Sequence, residues 1–213
     1  MRRLPVYIIT LSLLLTSCES ETYETGDGSL SHLTACFGMM HTREAQKADY
    51  VVADDGTTIT FDTPANVEWA TTADTLYRVQ AYYKLGDKGT EPVAMNRMGV
   101  SALYEAKDMR QTPTDPLTFV SAWRGGGYLN VAFLVKTGKQ EAGAEAQAIS
   151  FVRDSMAWAD GKRVAYIRML HAQNNQPQYY SVRSYVSMKW PANCDRIVLT
   201  VNDYSGTKSK EVE

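Results

Sequence analysis

The chain has little of what most site chemistry is built from. Three cysteines and three histidines are scattered over 213 residues, too few for a disulfide framework and too dispersed for a zinc site. No His-Glu-x-x-His, Cys-x-x-Cys or Gly-x-Ser-x-Gly occurs, which removes the commonest metallopeptidase, redox and serine-hydrolase signatures. A basic surplus is missing too. Its 22 Lys and Arg stand against 24 Asp and Glu, so counterion release would contribute little to binding nucleic acid, and none is expected as a partner. No segment approaches the ~20 apolar residues of a membrane-spanning helix. What is there, 44% hydrophobic and 22% charged residues, suits a globular body of one or two domains.

The N-terminus carries the clearest signal. Arg2 and Arg3 precede an apolar stretch from Leu4 to Leu15 that is too short to span a bilayer, so residues 1–17 read as a signal peptide. Leu15-Thr16-Ser17-Cys18 resembles the bacterial lipobox, which makes Cys18 the lipidation site and the first mature residue. Each buried CH₂ of an acyl chain such as palmitate contributes ~0.8 kcal/mol, and several chains hold a protein on its membrane durably. The expected location is therefore the outer membrane, lipid-anchored. Residues 18–28 form a polar tether containing Glu19, Glu21 and Glu24. An acidic run directly after an acylated Cys resembles the surface-export signal of Bacteroidetes lipoproteins, and a plain tether facing the periplasm is the other reading.

The rest reads as β. Short runs rich in Val, Ile, Thr, Tyr and Phe are punctuated by Gly or Asp-Gly, and no window sustains a 3.6-residue apolar period. Asp55-Gly56, Asp160-Gly161 and Ser205-Gly206 mark hairpin turns. Between Leu76 and Leu85, Tyr77, Val79, Ala81 and Tyr83 share one face of a strand, and Arg78, Gln80, Tyr82 and Lys84 share the other. The stretch 106–116 is polar with two prolines and reads as a linker. It separates a small barrel over 29–105 from a β-sandwich over 117–213.

Each residue with chemical capacity has a plainer role available. His32, His41 and His171 lack the spacing of a metal site, and no metal or cofactor is expected. Asp54-Asp55-Gly56 lacks the further oxygen ligands of a calcium loop and reads as a turn. Cys36 has no neighbouring His in sequence and reads as a small buried apolar residue, and it and Cys194 are expected as two thiols. Gly125-Gly126-Gly127 lacks the context of a phosphate cradle and reads as a strand connection. No residue is assigned a catalytic role. The outward row Arg78, Gln80, Tyr82 and Lys84, two cations flanking an aromatic ring and an amide, is the candidate ligand face for an anionic or sugar-bearing partner.

Five stretches carry a family resemblance: Tyr23-Glu-Thr-Gly-Asp-Gly, Tyr50-Val-Val-Ala-Asp-Asp-Gly, Trp69-Ala-Thr-Thr-Ala-Asp-Thr-Leu-Tyr-Arg, Thr114-Asp-Pro-Leu-Thr-Phe-Val-Ser-Ala-Trp and Gly127-Tyr-Leu-Asn. In this order they resemble the NigD-like lipoproteins of Bacteroidetes. The resemblance implies an all-β chain, an OB-type barrel followed by an antiparallel β-sandwich, with no catalytic motif to transfer. The expected function is a membrane-anchored, non-catalytic binding or assembly module with a protein or glycan partner. Bacteriocin immunity is the first alternative, and a hydrolase with an unrecognised site is the second.

Overall fold

In the computed structural model, which describes residues 33–86, 89–139 and 145–213, two groups of strands follow each other along the chain. The signal peptide, Cys18, the tether and His32 lie outside the described residues. The first group is β1 (Leu33–Glu44), β2 (Lys47–Ala53), β3 (Thr58–Asn66), β4 (Thr75–Gly86) and β5 (Gly89–Arg97). They hydrogen-bond in the order β3-β2-β1-β4-β5, antiparallel throughout.

Bulges in the β1/β2 and β2/β3 ladders bend this sheet into the curl of an OB-type barrel. Gly38 allows the curl: a Cβ there would run into the Val52 carbonyl and the Val51 side chain. β3 and β5 face each other without pairing, and Pro64 and Pro92, which have no N–H to give, line the groove of about 430 Å³ left between them. The interior is filled by Met40, Val51, Ile59, Phe61, Val79, Ala81, Tyr83 and Met95. The inward set read from the β4 period is thus the barrel core.

The second group is a sandwich. One sheet runs β14 (Gly206–Val212), β13 (Arg196–Asp203), β11 (Lys162–Ala172), β10 (Ala148–Ala159), β7 (Leu103–Glu105). The other runs β6 (Gly99–Ser101), β12 (Tyr180–Lys189), β9 (Tyr128–Thr137), β8 (Thr118–Gly125). Leu129, Val131, Phe133 and Met188 of the second sheet meet Phe151, Ile167, Ile197 and Leu199 of the first.

The junction falls earlier than the polar stretch suggests. Residues 99–105, expected in the barrel domain, pair with the sandwich: β6 lies parallel to β12 and β7 parallel to β10. These strands are too short to show a period, whereas the prolines after them are conspicuous. Part of the expected linker is also held in place, through a bridge from Thr114 to His171. Leu33–Glu213 forms one compact unit.

Candidate functional site

The outward row of β4 starts at a junction. Arg78 is only 4% exposed, because the barrel's outer surface here abuts the second sheet of the sandwich. Its guanidinium pairs with the Asp54 carboxylate through Nη1 and, at 2.6 Å, through Nη2. The same group donates to Asn130 Oδ1 at 2.8 Å and to Ser187 Oγ at 3.1 Å, and it lies 4.7 Å above the Tyr128 ring. Ser187 in turn donates to Asn130 at 2.7 Å. Arg78 is therefore corrected from ligand-facing residue to joint residue. The period was read correctly, but a second domain covers this end of the face. Gln80, Tyr82 and Lys84 follow along the same row and are half-buried.

Two turns noted in the sequence meet at this joint. The Asp54 N–H donates to the Phe37 carbonyl, and the Asp54 carbonyl accepts from the Gly126 N–H. Gly126 sits at φ +58° directly against the Asp54 carboxylate, where a Cβ would collide with it. Phe37 completes the contact, with its ring 5.2 Å from both Trp123 and Tyr185. Asp54-Asp55-Gly56 and the triple glycine are thus two sides of one clasp.

The described histidines are held by structural partners. His41 on β1 is bracketed by Asp49 (2.7 Å at Nδ1) and Asp74 (3.2 Å at Nε2) and stacks on Tyr50 at 4.7 Å. Its hydrogen bonds to Asp49, then to Asp74, raise its pKa by favouring the imidazolium. His171 is 2% exposed, and burial lowers its pKa against the pull of the main chain at Asp115 and Pro116. Its Nε2 meets Gln147 Oε1 at 2.9 Å, while Nδ1 has no hydrogen-bond partner among the described residues. Cys36 and Cys194 are free thiols. Burial first, then Asp54 and Asp55, push Cys36 up to about 11, far from a nucleophile's range. Among the described residues no group of His, Cys, Asp and Glu could hold a metal ion.

A third feature escaped the sequence reading. The connection from β11 to β12, Gln173 to Tyr179, is pinned by side-chain amides. Gln173 donates to the Lys136 and Gln176 carbonyls, Asn174 to Ala146 at 2.6 Å, and Gln176 to the Glu145 carbonyl. Gln147 joins the set by donating to Lys136. Asn174 and Asn175 take positive φ, which Asn tolerates. The end of this pinned loop and the start of β12 present Tyr179 and Tyr180, 81% and 57% exposed. The run Gln-Asn-Asn-Gln-Pro-Gln-Tyr-Tyr was the available signal, and it reads as an ordinary polar connection without its partners at 136 and 145–147.

The fold and these sites define a class: a two-part β protein whose buried polar side chains at the joint and the β11–β12 loop brace the scaffold. The chain belongs to the NigD-like family, because residues 100–213 match the model of the NigD-like C-terminal β-sandwich domain. Solved structures share the fold across both parts. One is a NigD-like immunity protein from Bacteroides caccae, 19% identical, with a TM-score of 0.63 over 84% of this chain and 90% of that one. Another is a putative toxin-related protein from Parabacteroides distasonis, 17% identical, TM-score 0.62, covering 84% and 91%. A third is a putative lipoprotein from Bacteroides fragilis, 10% identical, TM-score 0.55, covering 84% and 97%. No curated protein matches the chain. No helix among the described residues is long and apolar enough to cross a membrane.

Proposed function

We propose that this chain is a lipid-anchored bacterial lipoprotein of the outer membrane that acts as a non-catalytic binding or assembly module. The observation that carries the reading is the clasp between Arg78, Asp54, Asn130 and Ser187. Its buried polar groups brace barrel and sandwich against each other, which suits a stiff recognition body more than a moving active site. The Leu15-Thr16-Ser17-Cys18 motif supports the anchor, and the B. fragilis neighbour is itself described as a putative lipoprotein.

Chemical crosslinking in intact envelopes, followed by affinity capture, tests this. The anchored protein should yield a discrete partner that Cys18→Ala fails to yield, because the unanchored form leaves the membrane surface. Equal recovery from both would remove the anchor from the account, and recovery from neither would remove the binding role. Immunity, with a toxin or its receptor as the partner, is the second reading. It is favoured by the description of the B. caccae neighbour as a NigD-like immunity protein.

A further inference from the structure

We infer that the free edge of β12, from Tyr180 to Ser184, is a docking site for an extended acidic segment of a partner protein, which adds to the sheet as a strand. This names the partner chemistry for the binding role proposed above and rests on that role.

Edge strands invite pairing, and natural sheets guard them. In this molecule the barrel edges carry Pro64 and Pro92, β14 carries Lys208 and Lys210, and β10 is bulged at Asp154. β12 is different. One side pairs with β9 from Tyr180 to Lys189, but on the other side β6 covers only Val186 to Met188. Among the described residues nothing pairs with the outer side of Tyr180–Tyr185, and Tyr180 to Arg183 are all exposed. Neither a proline nor a bulge interrupts this stretch.

The side chains supply the specificity. By strand alternation Tyr180, Val182 and Ser184 share the face that carries Val186 and Met188 into the core. That face runs on past the core and opens into a groove of about 420 Å³ lined by Val135, Thr137, Gln147, Gln176, Val182 and Ser184. Alternate apolar side chains of an added strand would enter it. No lining side chain carries a charge. The opposite row bears the exposed Arg183, whereas Lys136, across the ladder from Ser181, places its ammonium 4.4 Å from the Tyr204 ring. Of the acids near this pole, Asp115 is engaged by the Gln173 N–H, and Glu145 lies beside Gln176. Arg183 therefore favours an acidic residue at the facing position of the incoming strand.

The test uses the purified chain and a short synthetic peptide alternating valine with glutamate and threonine, read by amide hydrogen exchange. Added protection should be confined to Tyr180–Ser184. It should vanish when the peptide backbone is N-methylated, and Val182→Lys, which installs an edge guard at an exposed site, should weaken binding by at least ~10-fold. The N-methylated control needs no variant, so it decides even if Val182→Lys folds poorly. Protection elsewhere, or equal binding of the N-methylated peptide, overturns the proposal. So does the same protection from maltohexaose, which would make the groove a saccharide site. If the peptide fails while envelope crosslinking still yields a partner, the site is wrong and the binding role stands.

Discussion

Arg78 of β4 and Asp54 of the β2–β3 turn form a two-pronged ion pair between a side chain 1% exposed and one 16% exposed, and Asn130 of the sandwich binds the same guanidinium. One arginine thus ties a barrel turn to a sandwich strand. Removing it would leave the Asp54 carboxylate, Asn130 and Ser187 facing each other with no cation between them. Arg78→Ala should destabilise the chain by about 3–5 kcal/mol, because an uncompensated buried charge costs more than the pair contributes. Urea denaturation measures this. Arg78→Met with Asp54→Asn should cost clearly less than the two single changes added together.

Gly126 and Gly127 separate two kinds of glycine requirement. Both have positive φ, but only at Gly126 would a Cβ strike Asp54, while the space around Gly127 is open. Gly127→Ala should cost only the left-handed conformation, about 1 kcal/mol. Gly126→Ala should cost at least about 1 kcal/mol more and shift the resonances of Phe37 and Trp123. Equal melting temperatures for the two variants would contradict the clasp.

The described histidines should titrate in opposite senses. The pKa of His41 is raised above 6.5, so its contribution to stability is fully present below that value and is lost as pH rises through the raised one. The pKa of His171 is lowered, so its contribution is present above 6.5 and is lost as pH falls through the depressed value. Two-dimensional NMR of the imidazole resonances reads both in one titration, and Asp49→Asn should lower the His41 midpoint.

Cys36, with its thiol pushed up to about 11, should alkylate slowly with iodoacetamide at pH 8. Denaturation without reductant should expose Cys36 and Cys194 as titratable thiols. A fast native reaction at Cys36 would contradict its half-buried setting beside Asp54 and Asp55.

Limited proteolysis should nick the chain between Ala106 and Pro113, yet the products should stay together. β6 and β7 precede the nick and are strands of the sandwich, so the N-terminal fragment remains paired to the C-terminal one. Size-exclusion chromatography before and after nicking should give one elution volume.

The strand rhythm was legible wherever a strand has one wet face and one dry face. β4 shows this best, since Val79, Ala81 and Tyr83 repeat at period two and form the barrel core. β14 was not legible because Thr207 to Glu211 are all exposed and carry no apolar alternation. β6 and β7 are three residues each, below any period. The candidate face was half legible. Period two places Arg78 outside the barrel, but nothing local to Arg78 reveals that Asn130 and Ser187, 52 and 109 residues away, will cover it. The β11–β12 loop was hidden for the same reason, since what makes it rigid is its contact with 136 and 145–147.

Site-specific photo-crosslinking in living cells tests the central claim of an anchored recognition body most directly. A benzophenone amino acid placed at Val182, Tyr82 or Lys208 samples the open edge, the barrel face and a guarded edge in turn. The account predicts one discrete adduct from position 182, none from position 208, and loss of the adduct in the Cys18→Ala background. Adducts equally abundant from all three positions, or absent from all three, would contradict it.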